Sequence, residues 1–168
     1  YSVIKEMIDC YSTSDKQHDI GLMFIDLDNF KIYNDTFGHD VGDLILKEMA
    51  SIFQIEAIGY GFVSRYGGDE FIIILDTADD KKLEKIAKNI YAKIESSDGF
   101  KKQIEDYLGH PISVDKDSRI TCSMGIAKAG DVKCEEDINN LIHQADELLY
   151  KVKTREKGNY AFWDYVLN

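Results

Sequence analysis

Two carboxylates separated by a single residue follow an apolar run in the first part of the chain. Asp26 and Asp28 stand at the end of the nearly unbroken apolar stretch 20–27, which predicts a strand buried on both faces. Because side chains alternate along a strand, both carboxylates would lie on the same side of it. Magnesium takes oxygen ligands and is often held by one or two carboxylates plus substrate phosphates, so the pair suits a nucleotide site. Taken alone, such a pair is more often a polar strand end.

A second acidic pair stands at the tip of a predicted hairpin. Asp69 and Glu70 follow Gly67 and Gly68 and open a strongly apolar strand. Glycine tolerates the positive φ that a two-residue turn requires, which predicts strands on either side of it: 60–66 and 69–75. The two glycines would also let a ligand approach the backbone closely. Solvated acids at a hairpin tip are a common alternative, but two acidic strand ends together favour a cation site.

Apolar periodicity predicts the elements that must position these acids. Helical spacing occurs in four stretches: 3–11, 40–56, 83–94 and 138–152. Two further stretches are typical of strands: 119–127 and the aromatic-rich 160–167. Thr77 and Asp80 have the spacing of a capping box for the third helix, and 96–118 shows no clear pattern. The order helix, strand, helix, hairpin, helix, strand, helix, strand predicts a single sheet covered by helices in one domain.

The charge balance limits the class of partner. The 168 residues include 20 basic and 31 acidic ones, a net charge of -11. A chain with this balance repels duplex DNA and anionic membranes at long range, so we expect no nucleic-acid partner and no direct membrane contact. A phosphate-bearing ligand would have to be held locally, by metal ions or by a small basic cluster.

Cysteine usage and hydropathy indicate the compartment. Cys10, Cys122 and Cys134 are odd in number and show no close metal-type pairing, which favours a reducing environment. The sequence contains no apolar run of transmembrane length and no basic-then-apolar signal peptide. We therefore expect a cytoplasmic domain, either of a soluble protein or as the cytoplasmic part of a membrane-anchored one.

Several motifs together resemble one family. The stretch Arg-Tyr-Gly-Gly-Asp-Glu-Phe at 65–71 resembles the signature hairpin of the GGDEF-domain diguanylate cyclases. Residues 26–35, continuing to Gly42-Asp43, resemble that family's metal- and guanine-binding stretch, and two later segments resemble its later strand and last helix: 123–127 and 145–153. The resemblance implies an α+β, ferredoxin-like or polymerase-palm-like core, with a central, mainly antiparallel sheet of about five strands flanked by helices. It also implies that 1–168 is a single GGDEF domain and a fragment of a larger signalling protein.

The resemblance assigns metal-binding and catalytic roles at the two acidic strand ends. It implies two Mg²⁺ or Mn²⁺ ions per active site, bound by Asp26, the backbone carbonyl of Leu27, Asp69 and Glu70. Asp69 and Glu70 would also be the catalytic residues, with Asp69 helping to deprotonate the ribose 3′-hydroxyl. Two cations would neutralise a triphosphate, which this acidic chain could not otherwise attract.

The resemblance also assigns a GTP-binding surface. Asn34 and Asp43 would read guanine, and the remaining contacts would come from His39, Phe30, Lys31, Gly67, Gly68, Lys153 and Lys157. Plainer explanations exist for several of these residues. Asp43 suits a helix N-terminus, Asn34 a turn, His39 a helix cap, and lysines a helix C-terminus.

The implied activity is the condensation of two GTP molecules into cyclic di-GMP and two pyrophosphates, by in-line attack of each 3′-hydroxyl across a homodimer. The main alternative is a catalytically silent GTP-binding module attached to a cyclic-di-GMP phosphodiesterase or another output domain. A dinucleotide receptor and an ATP cyclase are further alternatives. The family's product-inhibition motif, Arg-x-x-Asp, is replaced by Ile-Gly-Tyr-Gly at 58–61, so we do not expect feedback inhibition there. A linked sensory or phosphodiesterase domain is an expected partner.

Overall fold

The computed structural model describes residues 18–155 and 157–162. The strands are β1 (His18–Asp28), β2 (Gly61–Arg65), β3 (Glu70–Leu75), β4 (Thr121–Val132) and β5 (Tyr160–Phe162). The helices are α1 (Phe30–Phe37), α2 (His39–Ala57), α3 (Asp80–Ser96), α4 (Lys101–Leu108) and α5 (Glu135–Arg155), with a 3₁₀ helix at Lys116–Ser118. The predicted helix over 3–11 and the predicted strand beyond residue 162 lie outside the described residues. Within the described ranges, no helix is long and apolar enough to cross a bilayer.

The five described strands form one sheet in the order β2-β3-β1-β4-β5. The pairs β2–β3, β3–β1 and β1–β4 are antiparallel, and β5 runs parallel to β4. The predicted α+β class, with a mainly antiparallel sheet of about five strands flanked by helices, is therefore confirmed. Strand β1 lies at the centre of the sheet, as its apolar sequence indicated.

Strand β1 contributes side chains to both faces of the sheet. Its odd-numbered residues from 23 to 27 pack in the larger core with α1, α2, α3 and α4. Its even-numbered residues from 20 to 24 pack against α5. By the same alternation, Asp26 and Asp28 lie on the face that α5 covers, where the strand ends.

Helix α1 follows β1 directly and was not predicted. The intervening Asn29 has a φ of 64°, in the left-handed region, and turns the chain from the strand into the helix. Helix α1 has eight residues, of which only Phe30 and Tyr33 are buried. Two turns are too few to show a clear apolar stripe, because helical periodicity needs a window of 11 to 18 residues.

The hairpin strands are confirmed, but the turn differs from the prediction. Strand β2 ends at Arg65 and β3 begins at Glu70, so residues 66–69 connect them. The backbone amides of Tyr66 and Gly67 both donate to the carbonyl oxygen of Glu70, at 2.8 and 3.3 Å. Gly67 does not have a positive φ, and neither does Gly68. A Cβ on residue 67 would lie 2.6 Å from Glu70 Oε2, so a side chain there would require the end of the Glu70 side chain to move.

The start of α3 and the segment after it also differ from the prediction. Asp79 caps α3, because its side chain accepts a hydrogen bond from Lys82 N at 3.1 Å. Thr77 Oγ1 accepts one from Asp79 N at 3.2 Å, so the capping box predicted from Thr77 and Asp80 is wrong. The unassigned stretch 96–118 contains α4 and the 3₁₀ helix.

Candidate active site

Strand register brings Asp26 of the first acidic pair beside the second pair, Asp69 and Glu70. Asp26 on β1 lies directly opposite Glu70 on β3, and Leu27 N donates to the carbonyl oxygen of Asp69 at 3.2 Å. Asp26, Asp69 and Glu70 are all partly exposed. The three carboxylates predicted from separate motifs therefore form one cluster at the edge of the sheet, which we call the acidic cluster.

The acidic cluster is electrostatically strained. Burial raises the pKa of Asp26 above its usual range, and the neighbouring charges of Asp69 and Asp28 raise it further, against the lowering effect of Lys153. Burial also raises the pKa of Glu70, assisted by the charges of Asp26, Asp69 and Asp146. A bound cation would relieve this repulsion, so the cluster fits a divalent ion better than it fits a purely structural role.

Lys153 supplies the one cation that contacts Asp26 within the described residues. Its Nζ on α5 lies 2.5 Å from Asp26 Oδ1. In the part of the chain described, no group of three or more acidic, histidine or cysteine side chains is arranged to hold an ion by itself. Mg²⁺ is commonly bound by one or two protein carboxylates together with substrate phosphates.

Asp28 has different surroundings from Asp26, although the sequence pairs them. Its side chain is 2 % exposed, and Oδ2 accepts hydrogen bonds from Ser123 Oγ at 2.8 Å and Gly158 N at 3.0 Å. These bonds connect β1 to β4 and to the loop after α5. Asp28 Oδ1 is buried and has no hydrogen-bond partner among the described residues. Burial raises the pKa of Asp28, and the bonds from Ser123 and Gly158 oppose that shift.

Arg65 positions the turn that carries Asp69, a role that the sequence did not suggest. Its Nη2 and Nε donate to the carbonyl oxygen of Gly68 at 2.6 and 3.0 Å, and Nε lies 3.3 Å from that of Gly67. Only its place beside the hairpin motif could have indicated it. Asp146 on α5, which raises the pKa of Glu70, was likewise unrecognised, because 76 positions separate the two residues in the chain.

Asn34 is held against α2. The carbonyl oxygen of Asn34 accepts a hydrogen bond from Gly38 N at 3.0 Å, where α1 ends. A Cβ placed on Gly42 would lie within 1.9 Å of Asn34 Oδ1, so the side chain of Asn34 occupies the space that this glycine leaves. The residue that follows Gly42 is Asp43, which brings the two predicted guanine readers onto adjoining parts of α1 and α2.

Asp43 is exposed and lines an open cavity of about 440 Å³ between α2 and the hairpin. The cavity wall also includes Leu46, Val63, Phe71 and Arg65. Because Arg65 also holds the turn before Asp69, this cavity and the acidic cluster are adjacent. Lys47 and Gln54 also line the cavity, so apolar surface lies beside several groups that could form hydrogen bonds, as in many pockets that bind small molecules.

The remaining predicted contacts are distributed around these two centres. The side chain of Phe30 is buried in the core, so only its backbone could meet a ligand. Lys31 in the first turn of α1 and His39 at the start of α2 are exposed. Lys157 is exposed and close enough to lower the pKa of Asp28 by its charge. Around Gly68 a side chain would meet no atom within 4 Å, which leaves an open approach to the turn.

Comparison with known proteins identifies the family of the chain. Residues 4–159 match the family described as diguanylate cyclase, GGDEF domain. The chain is 33% identical over 144 residues to the diguanylate cyclase DosC of Escherichia coli strain K12, and 30% identical over 162 residues to the diguanylate cyclase DgcZ of the same strain. These matches cover 86% and 96% of this chain. The chain belongs to the GGDEF domain family, and the predicted resemblance is confirmed.

A solved structure supports the fold. The chain resembles the X-ray structure of an EAL/GGDEF domain protein from M. capsulatus, with a TM-score of 0.65 and 28% identity, covering 95% of this chain and 93% of that one. The chain spans 28% of the length of DosC and 50% of the length of DgcZ.

Proposed function

We propose that this chain is a diguanylate cyclase, which joins two GTP molecules into cyclic di-GMP and releases two pyrophosphates. The observation that carries the proposal is the acidic cluster, in which Asp26 and Glu70 lie opposite each other on two strands, next to Asp69 in the turn, with raised pKa values for Asp26 and Glu70. Such clusters are typical of functional sites, because burial of like charges costs stability that a fold alone does not need to give up. The two relatives named as diguanylate cyclases support the same activity.

The acidic cluster would hold two Mg²⁺ or Mn²⁺ ions through Asp26, the carbonyl of Leu27, Asp69 and Glu70. Bound there, the ions would neutralise the triphosphate and lower the pKa of the ribose 3′-hydroxyl. Asp69 would accept the proton of that hydroxyl. Each 3′-oxygen would then form a bond to the α-phosphorus of the other GTP as the bond to its pyrophosphate breaks, so that two bonds form and two pyrophosphates leave.

The cavity beside Asp43 would take the guanine base. Guanine presents its N1–H and N2–H donors to the Asp43 carboxylate, and its acceptors to the Asn34 amide, which favours GTP over ATP. His39 would lie near the base. The backbone amides of Phe30 and Lys31 at the start of α1 would face phosphate oxygens, as helix N-termini commonly do.

Three lysines would balance the phosphate charge, and the turn would leave room for it. Lys31, Lys153 and Lys157 act as point charges, and Lys153 would exchange its contact with Asp26 for one with phosphate. Gly67 and Gly68 keep side chains out of the approach to the cluster. Because one chain offers one such site, two copies facing each other would supply the two GTP molecules, and a linked sensory or output domain would control their meeting.

The test is conversion of GTP to cyclic di-GMP by the purified chain with Mg²⁺ or Mn²⁺, at several protein concentrations. We expect product to rise faster than linearly with protein, and Asp69→Ala to reduce turnover by at least about 10²-fold. Asp76→Ala, an exposed acid just past the opposite end of β3, is the matched control and should retain turnover. Metal-dependent GTP binding without any product would contradict the cyclase and favour the silent regulatory module.

A further inference from the structure

Residues 97–119 form an ordered segment that packs on the helices carrying the predicted GTP contacts. Four apolar residues at or near this segment are at most 8 % exposed and belong to the larger core: Phe100, Ile104, Ile112 and Ile120. Glu105 Oε1 accepts a hydrogen bond from Ile112 N at 3.0 Å, which ties α4 to the chain beyond it. An ion pair between Arg119 and Asp98 at 2.5 Å joins the two ends of the segment.

This segment and Ile120, which follows it, contact Asn29 before α1, Tyr33 on α1 and Asp40 on α2. The side-chain amide of Asn29 donates to the carbonyl oxygens of Arg119 at 2.8 Å and Asp117 at 3.2 Å. The hydroxyl oxygen of Tyr33 accepts a hydrogen bond from Ile120 N at 3.3 Å, at a buried position. The hydroxyl of Tyr107 on α4 donates to Asp40 Oδ2 at 3.2 Å, in the first turn of α2.

Each contacted residue lies one to three positions from a proposed GTP contact. Asn29 immediately precedes the backbone amides at the start of α1. Tyr33 adjoins Asn34, and Asp40 lies three positions before Asp43. Asn29 also links the strand end that carries Asp26 to α1, in a left-handed conformation at φ 64°. A shift of Asn29 would therefore change the separation between the acidic cluster and the base readers.

We propose that residues 97–119 are a brace that fixes the nucleotide-binding helices relative to the acidic cluster, and that Asn29 is the positioning residue through which the brace acts. The GTP contacts that the brace would position rest on the proposed function. The packing of the brace against α1 and α2 does not depend on it. Asn29 touches neither metal nor substrate in this proposal. It holds α1 at the angle from which other residues bind GTP.

Two substitutions separate the side chain of Asn29 from its backbone. Asn29→Gly keeps easy access to the left-handed conformation and removes both hydrogen bonds. Asn29→Asp also tolerates that conformation but places a carboxylate, without a donor, against two carbonyl oxygens. The matched control is Asn89→Ala, which removes a side-chain hydrogen bond to Glu56 of 2.9 Å on the remote α2–α3 contact.

The test combines amide hydrogen exchange on the metal-free protein with steady-state kinetics on GTP. We expect Asn29→Gly and Asn29→Asp to speed exchange at residues 30–43 and to raise KM for GTP roughly tenfold, with a smaller change in kcat. Asn89→Ala should lower the melting temperature by ~2–4 °C, as the Asn29 variants should. It should leave the exchange at residues 30–43 and the KM for GTP unchanged. A merely structural Asn29 would lower the melting temperature without altering KM.

Exchange at 30–43 that is unchanged in both Asn29 variants, or equally fast in Asn89→Ala, would overturn the brace. Faster local exchange with an unaltered KM in an active protein would overturn its positioning role. If the wild-type chain makes no cyclic di-GMP, the proposed function fails, and the exchange result still decides whether the brace exists.

Discussion

Two partly buried glutamates in this molecule have opposite surroundings. Glu56, near the end of α2, lies 2.6 Å from Lys93 Nζ and accepts a hydrogen bond from Asn89 at 2.9 Å, both on α3. Burial would raise the pKa of Glu56, but these hydrogen bonds and the positive charge of Lys93 outweigh it, so that the pKa is lowered. Ionised Glu56 therefore stabilises the contact between the two helices.

Among the described residues, no lysine or arginine forms an ion pair with Glu70, and the charge of Lys153 lowers its pKa less than burial and the neighbouring acids raise it. Burial raises its pKa, and the charges of Asp26, Asp69 and Asp146 add to the effect. Ionised Glu70 therefore destabilises the ligand-free fold. Glu56 is neutralised by groups of the fold, whereas Glu70 keeps a raised pKa even though Lys153 contacts the neighbouring Asp26, and such a cost in stability is typical of functional sites.

Glu70→Gln should have the largest effect of the substitutions that test the contrast between Glu70 and Glu56. We expect turnover to fall at least about 10²-fold, because the substitution removes an acidic ligand from the cluster. The same variant, measured with a chelator present, should unfold at a higher temperature than wild type near pH 7. A raised carboxyl pKa means that the folded state holds its proton more tightly than the unfolded state does. The ionised Glu70 side chain therefore destabilises the fold fully at pH values above its folded pKa. This effect vanishes at pH values below the ordinary carboxylate pKa.

The gain in melting temperature for Glu70→Gln should accordingly shrink as the pH falls through the window between those two values. Thermal unfolding of both proteins across an acidic-to-neutral pH series measures this. A variant less stable than wild type at neutral pH would contradict the electrostatic account of the acidic cluster.

Glu56→Gln should have the opposite signature. We expect unfolding to become easier at neutral pH by about 1–3 kcal/mol, because a charged hydrogen-bond partner is lost. For a lowered carboxyl pKa, the stabilisation is full above the ordinary value and is lost as the pH falls through the folded pKa, so the two proteins should converge in acid. Cyclic di-GMP production per folded molecule should match wild type. Denaturant titrations at both pH extremes, beside the turnover assay, check both statements.

Gly42→Ala should affect GTP binding and stability differently at the helices that carry the proposed guanine contacts. A methyl group there would displace the side chain of Asn34, so we expect the affinity for GTP to fall roughly tenfold. Alanine favours a helix by about 1 kcal/mol over glycine, so the stability should hold or rise. Calorimetric GTP titration and thermal unfolding of the same sample measure both. If Asn34→Ala and Gly42→Ala weaken binding additively, Gly42 does not act through Asn34.

Asp79→Ala should produce the smallest effect. It serves as a control that changes the stability of the fold without touching the acidic cluster. Loss of the cap of α3 should cost about 1 kcal/mol of stability and leave the kinetics of GTP turnover unchanged. Urea unfolding and the cyclase assay check the two halves of this expectation. Impaired turnover in this variant would mean that α3 is coupled to the site by a route that its contacts do not suggest.

The sequence alone determined most of the fold and the identity of the acidic strand ends. Apolar periodicity is a local property, so the hairpin strands and the long helices could be predicted from neighbouring residues. The class of sheet and the family followed from the order of those elements and their motifs, and both are confirmed. The sequence did not predict the short α1 or the structure of the segment 97–119, because their burial depends on contacts between residues far apart in the chain.

Tertiary structure decided which residues meet at the site. The register of β1 with β3 puts Asp26 opposite Glu70, and α5 brings Lys153 to Asp26 across 127 positions of sequence. Asp28 looks equivalent to Asp26 in the sequence, yet it is bound to Ser123 and the loop after α5. Residue type and spacing specify which groups are available, but burial and neighbouring charge, which set their pKa values and partners, exist only once distant segments pack together.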